Sequence, residues 1–500
     1  MKRRTFLAGV GGGAIGAALS VPAAAKAAAA TSGERPKPSL EKKPITVQPA
    51  LAYNIYQYRE ATSWRPWGGL KTEADVEQEV NRIGGELKAL VEKAEFPIEM
   101  RPLAHVRSKE EAAPVRDGDA DVLLIYGASG ELEPLVSPKH HNIVFVRHKS
   151  GPVYLWYEIV HPRLLRKTVD EYGEPGLTPY DVVVDETGDL LWRLRSLYAL
   201  KNTVGSKIVC IGGPSGWGVG GQQAPEIART LWKMELIDEP YEDLGKRIVA
   251  ARSDAERVKR AEADAAAYVK LPKTHLETDM GFVSRAFLLT QVFEEVMAEA
   301  GAQAMTINSC MGTIMPMSET TACLPLSLIN DSGALAFCES DFAAIPSGVL
   351  LHHIASTPAF LQDPTYPHHG VVTLAHCTAP RKMDGKNIEE AHIQTHFESD
   401  YGAAPKVNMR IGQTVTVLNP DFGDKRWIGF RGTIADHPFL DICRSQVDVS
   451  IEGDCQRLME DMRGFHWMLA YGDHLKETGY ALRKLGIGWY NLTDDKTVEA

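Results

Sequence analysis

Cysteine is scarce in this chain: there are seven in 500 residues, none before Cys210, and no C-x-x-C pair. A disulfide scaffold is thereby excluded, and no dithiol or thiolate zinc motif is left. Positive charge is also in deficit. The net charge of −11 argues against a nucleic-acid-binding surface. Past the first 30 residues no apolar run is long enough to span a bilayer, and no internal repeat is evident. What is present is an ordinary globular balance, 44% hydrophobic and 24% charged. At roughly 150 residues per domain, the length predicts about three domains.

Residues 1–30 read as a twin-arginine-type signal peptide. Lys2, Arg3 and Arg4 precede Thr5-Phe6-Leu7, a Gly/Ala-rich stretch follows, and Ala25-Lys26-Ala27 offers a cleavage site. An ordinary secretory signal or a retained anchor is the alternative. Cleavage would remove four cations and no anions, taking the net charge from −11 to −15. The expectation is a periplasmic or extracellular protein, exported already folded, without stable membrane insertion after cleavage. Folded export permits reduced, buried thiols and a metal loaded beforehand.

Residues 31–45 read as a linker. Over 46–200, strand-like runs (Ile45–Ala52, Ala120–Tyr126, Asn142–Val146) alternate with helical ones. Thr72 and Asp75 form a capping pattern before Val76, Val80, Ile83, Leu87 and Leu90. Over 201–357, a second α/β unit opens with Lys207–Ile211 and runs into a glycine loop from Gly212 to Gly221. That loop lacks the Gly-Lys-Ser/Thr ending of a nucleotide P-loop. It is a flexible connection, a substrate or subunit contact, or a nucleotide site. Helices are expected over about 254–269 and 282–300. Over 358–500, short alternating runs predict a mostly antiparallel region, closed by a helix from about Phe465 to Leu485. The fold class expected is α/β, with two Rossmann-like parallel-sheet domains followed by a β-rich C-terminal domain and a closing helix.

The informative stretch is Ala334–Pro380. Glu339, Asp363 and His376 each follow an apolar strand-like run. Rigid α/β cores place catalytic groups at such positions. Two carboxylates with one or two imidazoles suit Mn²⁺ or Mg²⁺ better than zinc or calcium. Plainer readings stand beside this. Glu339 could cap a helix, as Asp341 does ahead of a helical run over Phe342–Ser356. Asp363, before Pro364, could serve a turn, and His376 could be a core histidine. His352-His353 and His368-His369 read as structural or surface residues. His466, in Arg463-Gly464-Phe465-His466-Trp467, would sit at a helix N-terminus, where the dipole favours neutral imidazole. Trp64, Trp67 and Trp217 could offer stacking faces to a sugar or simply pack in the core.

Taken together and in order, Cys338-Glu339-Ser340-Asp341, Phe360-Leu361-Gln362-Asp363 and Phe465-His466 ahead of Leu485-Gly486-Ile487 resemble motifs of the L-fucose isomerase and L-arabinose isomerase superfamily. The similarity is clearest over about 300–380 and 460–490. It implies a Mn²⁺-type site (or Mg²⁺, Co²⁺ or Fe²⁺) held by Glu339, Asp363 and His466, with the two carboxylates also acting as acid and base. His376 would be a fourth ligand or stand behind the ligands. A small sugar substrate and a trimer or hexamer are also implied.

Such residues suit aldose–ketose isomerisation, in which a proton leaves the carbon beside a carbonyl and an enediolate is stabilised. The export signal departs from the cytoplasmic isomerases, and Tyr58-Arg59-Glu60 and Trp64–Gly69 carry no fucose- or arabinose-specific pattern. Two rivals therefore stand: a metal-assisted lyase or epimerase on a modified sugar, and a non-catalytic exported sugar-binding protein.

Overall fold

The computed structural model describes residues 37–498 except 39, 66–67, 155–164, 166–174 and 422–425. The signal-peptide reading and Trp67 therefore lie outside the described residues. Among the described residues no helix is long and apolar enough to cross a membrane.

Six strands come first: β1 (Ile45–Ala52), β2 (Ile98–Met100), β3 (Ala104–Val106), β4 (Val122–Gly127), β5 (His141–Val146) and β6 (Val182–Val184). They form a parallel sheet in the order β2-β1-β4-β5-β6, with β3 also beside β1. The run VLLIYG of β4 is buried at every position, as a central parallel strand covered on both faces must be. The helix Glu73–Lys93 begins where expected. The Thr72 hydroxyl accepts from the Asp75 amide, and the Asp75 carboxylate accepts from the Thr72 amide. This helix buries Glu79 beside the expected Val76, Ile83, Leu87 and Leu90. The buried charge is met by Arg147, at 2.5 Å, and by the Tyr154 hydroxyl.

Next come β7 (Lys207–Ile211), β8 (Glu235–Glu239), β9 (Thr274–Leu276), β10 (Ala304–Ile307) and β11 (Leu335–Phe337). All but β9 form a second parallel sheet, ordered β11-β10-β7-β8. The later strands are β12 (Phe360–Pro364), β13 (Val371–His376), β14 (Glu390–His396), β15 (Tyr401–Asn408), β16 (Thr414–Asn419), β17 (Arg426–Asp436), β18 (Ser445–Glu452), β19 (Trp467–Tyr471), β20 (Gly488–Asn491) and β21 (Lys496–Val498). Six of them, in the order β16-β19-β12-β13-β18-β17, pair antiparallel, and β17 returns to β16 to close a barrel. Strands β15, β14 and β9 make a small separate sheet. The protein is thus mixed α/β, with parallel sheets, an antiparallel barrel in the C-terminal region and a C-terminal helix.

One expectation is corrected. The helix predicted from about Phe465 to Leu485 is a strand, β19, then a shorter helix, Leu475–Lys484, and the chain ends in β20 and β21. Every residue of β19 is buried. Trp467, Leu469 and Tyr471 face the barrel core, while Met468 and Ala470 face a cluster shared with the second sheet. A strand covered on both faces is continuously apolar, so its composition matches that of a buried helix.

The helix Ile345–Ala355 ties the second sheet to the barrel. It is buried from Ile345 through Ile354. Gly348 lets it approach both neighbours: a Cβ there would lie 2.6 Å from Phe337 Cε1 on β11 and 2.8 Å from Met468 Cε on β19. The exposed Gly84, inside the helix Glu73–Lys93, has open space around it. The same substitution should therefore have opposite signs at the two sites. In urea unfolding, Gly84→Ala should raise stability by about 0.5–1 kcal/mol. Gly348→Ala should lower it by about 1–3 kcal/mol through overpacking. Equal effects at both positions would contradict this account of the seam.

Candidate metal centre

Glu339 follows β11 in a turn that two non-glycine residues enter with left-handed backbone, at φ +67° for Glu339 and +46° for Ser340. Such geometry is uncommon without glycine and persists only where the surroundings impose it. Here the Ser340 amide donates to Thr306 Oγ1 (3.1 Å) on β10. The glycine loop after β7 grips the other side. The Ser215 amide donates to the Ser340 carbonyl (3.1 Å), and the Phe342 amide donates to the Ser215 carbonyl (3.0 Å). That loop is thus packed against the Glu339 turn. At its start, Gly212 has φ +76°, and a Cβ there would fall 2.1 Å from the Tyr241 ring.

Asp363, His376 and His466 come from the barrel. Asp363 lies in β12 and is paired with Ala375 of β13, His376 ends β13, and His466 immediately precedes β19, the other neighbour of β12. Three adjacent strands thus bring three ligand-type side chains to one rim, facing the Glu339 turn. His466 Nε2 is 3.3 Å from Asp363 Oδ1 and 3.7 Å from Glu339 Oε2. His376 Nε2 is 3.9 Å from Glu339 Oε1. Cys338 joins Glu339 and His376 in a group whose ligand atoms all lie within 4.8 Å of one another. The thiol was not anticipated, although it directly precedes Glu339. Cys323, Cys377 and Cys443 pack together, and all seven cysteines are free thiols.

Asp341 has a different role from the one expected. The helix after it begins only at Ile345 and takes no side-chain cap bond. One oxygen of Asp341, Oδ1, accepts from the amides of Ala343 (3.1 Å) and Trp217 (3.3 Å). The other, Oδ2, accepts from His466 Nδ1–H at 2.7 Å, with both side chains buried. The expectation of His466 at a helix N-terminus is likewise corrected: it stands at a strand start, and a carboxylate rather than a helix dipole sets its state. Burial opposes its charge. The Asp341 hydrogen bond and the Asp363, Asp341 and Glu339 carboxylates outweigh that, raising its pKa above the ordinary 6.5. Burial raises the Asp363 carboxyl; His376 and His466 oppose this, and Glu339 adds to it.

The donor set fits a divalent ion. Nε2 of both His376 and His466 is buried without a hydrogen-bond partner. Other buried polar atoms, His353 Nδ1 among them, also lack one, but these two have carboxylate oxygens 3.3–3.9 Å away. The donors on an ion bound at about 2.1 Å stand about 3–4 Å apart, the spacing of the His466–Asp363, His466–Glu339 and His376–Glu339 pairs, while the ligand atoms that all lie within 4.8 Å of one another are those of Cys338, Glu339 and His376. The Nδ1 of His376 faces Thr378 Oγ1 at 3.2 Å, and that of His466 faces Asp341, so each ring is oriented from behind, as metal-binding histidines are. Glu339 and Asp363 keep 30% and 37% of their side chains exposed, which leaves an approach from solvent.

Of the three tryptophans, the structure gathers Trp217 into this region. Its ring stacks on Phe465 (4.5 Å between centroids, 13°) and meets His466 edge-on at 5.8 Å. Trp64 instead packs edge-on against Tyr58, with Arg65 over its face. His352 and His353 are buried in the helix Ile345–Ala355, where burial lowers His352 to about 4, and His368 and His369 lie in the turn between β12 and β13.

Two outcomes follow for metal binding. Asp341→Ala should weaken divalent-ion affinity by about 10- to 100-fold in calorimetry, because His466 loses its orienting acceptor. Because its pKa is raised, His466 holds its proton to higher pH than free imidazole, and an ion must displace that proton. Affinity should therefore fall by about tenfold per pH unit below the raised value and level off above it. The sign for the metal-free fold is opposite: this charge stabilises it fully below pH 6.5, and the contribution is lost as pH rises through the raised value. An affinity constant from about pH 5.5 to about pH 8 would remove His466 from the ligand set.

No family model matches the chain, and no curated protein matches it.

Proposed function

We propose that the chain is a metal-dependent aldose–ketose isomerase-like enzyme acting on a sugar or sugar derivative. The observation that carries this reading is the pair of buried Nε2 atoms of His376 and His466, which make no hydrogen bond and face the carboxylates of Glu339 and Asp363, from four separate segments of the chain. The resemblance to the L-fucose and L-arabinose isomerase superfamily supplies the ligand set Glu339, Asp363 and His466, with His376 as a fourth ligand or a group behind the ligands. The parallel sheets are read as its two Rossmann-like domains, and a homo-oligomer and folded export belong to the same reading.

A Mn²⁺-type ion held by Glu339, Asp363, His466 and His376 would polarise the sugar carbonyl and its neighbouring oxygen. The residues do the rest. Asp341 and Thr378 hold the imidazoles in place. One carboxylate takes the proton from the carbon beside the carbonyl, and the other moves the hydroxyl proton. Glu339 and Asp363 are the two carboxylates at the centre available for these roles. Trp217 and Phe465, both exposed, offer a stacked aromatic edge to a sugar ring, and Trp217 reaches the centre through His466.

The test is metal content together with solvent-deuterium exchange into candidate sugars. Wild-type protein should hold about one Mn-type ion per chain and exchange the proton beside the carbonyl while aldose and ketose interconvert. Glu339→Gln should lower turnover by about a thousandfold or more, and His466→Ala should release the ion, each with an unchanged circular dichroism spectrum. Exchange with an epimer or an unsaturated product in place of the ketose would move the reaction to the epimerase or lyase class. Saturable sugar binding that is indifferent to chelation and to both substitutions would overturn the enzyme reading.

A further inference from the structure

The small sheet carries a second cluster of ligand-type side chains. Strands β9 and β14 run parallel, and His275 is the register partner of His392. Residues two apart share a face, so His275 of β9 and Glu277, which follows β9 directly and donates its amide to the Ile393 carbonyl, project together, as do Glu390, His392 and Gln394 from β14. One ligand atom from each of His275, Glu390 and His392 lies within 4.8 Å of the other two. His275 Nε2 stands 3.1 Å from Glu390 Oε1, and the two imidazoles stack with centroids 4.5 Å apart at 22°.

Each carboxylate is already oriented. The Asn408 amide donates to Glu390 Oε2 at 3.0 Å. Glu277 accepts from His392 Nδ1 at 2.6 Å and from the Gln394 amide at 2.7 Å. With Nδ1–H committed to Glu277, the neutral ring of His392 carries its lone pair on Nε2, the tautomer that a metal ligand needs. The carboxylate-behind-imidazole arrangement seen at Asp341 and His466 thus recurs here with unrelated residues. All four side chains keep 28–48% of their surface open, so an ion can enter from solvent.

We infer that His275, Glu390 and His392, with Glu277 behind His392, form a second divalent-metal site of zinc type. Two imidazoles and one carboxylate, with water in the fourth position, make a familiar tetrahedral zinc set. The ion would clip the three-residue strand β9 to β14, joining positions 115 residues apart in the chain. Binding only the folded state, it would raise thermal stability. This inference does not rest on the proposed isomerase reading, because no residue is shared.

The test is zinc titration of the chelator-stripped full chain, followed by calorimetry and thermal melting. Glu339→Gln/His466→Ala, which disables the barrel-rim centre, should still bind one zinc per chain and melt higher with it. Adding His275→Ala/His392→Ala to that variant should remove the equivalent, with an affinity drop of at least about a hundredfold and no zinc-dependent rise in melting temperature. Glu390→Gln, which keeps the side-chain volume, should weaken binding in the same direction. Cobalt bound to the Glu339→Gln/His466→Ala protein should show the intense visible bands of a tetrahedral site. Retention of the zinc equivalent when His275→Ala/His392→Ala is combined with Glu339→Gln/His466→Ala, or octahedral cobalt spectra, would overturn the proposal.

Discussion

The hydrogen bond between Asp341 and His466 is the constraint on which the candidate centre depends. It joins the turn after β11 to the strand that opens at Trp467, across a buried seam between the second parallel sheet and the barrel. A carboxylate so placed is costly to leave unpaired, so each partner holds the other in position. The other oxygen of Asp341 takes the Trp217 amide, and Ser215 bridges to the same turn, so the glycine loop is drawn into the arrangement. The helix Ile345–Ala355 backs the seam, and the bare face of Gly348 lets Phe337 and Met468 close on it.

The barrel explains why residues so far apart in the chain can meet. Asp363, His376 and His466 belong to three successive positions around one closed sheet, and adjacent strands lie about 5 Å apart. Glu339 is then aimed at them by two consecutive left-handed residues. Local strain of this kind is tolerable because three separate hydrogen bonds, one of them to the Thr306 hydroxyl, hold the turn. Burial strips the two Nε2 atoms of alternative partners and raises the Asp363 carboxyl, whereas His466 is raised against its burial by the Asp341 hydrogen bond and the neighbouring carboxylates.

Much of the scaffold was legible because its signals are local. The β1 run, the capping box at Thr72 and the β7 strand leading into glycine each depend on neighbouring residues, and each was found where the sequence placed it. Helices begin at Ala255, capped by Asp254, and at Met280, within two residues of expectation. The reading failed where an apolar run did not declare its period. Trp467–Tyr471 looks like the start of a buried helix, yet Gly472, at φ +101°, separates it as a strand from the helix that follows. Asp341 was misjudged for a related reason: a carboxylate ahead of a helical run resembles a cap, and its true partner is 125 residues away.

The sequence by itself determined the alternation of strands and helices, the shift to antiparallel texture after residue 358, and the chemical character of Glu339, Asp363, His376 and His466 as ligand types. Hydrophobic period and residue chemistry are written in neighbouring positions. Only the tertiary structure decided that the barrel closes, that His466 comes to 3.3 Å from Asp363 and 3.7 Å from Glu339 and His376 to 3.9 Å from Glu339, and that Trp217 rather than Trp64 approaches them. It also decided that Cys338 and Asp341 complete the surroundings and that His275 meets His392 on another sheet. Those outcomes depend on strand order and register, which arise from long-range packing and have no signature at any one position in the chain.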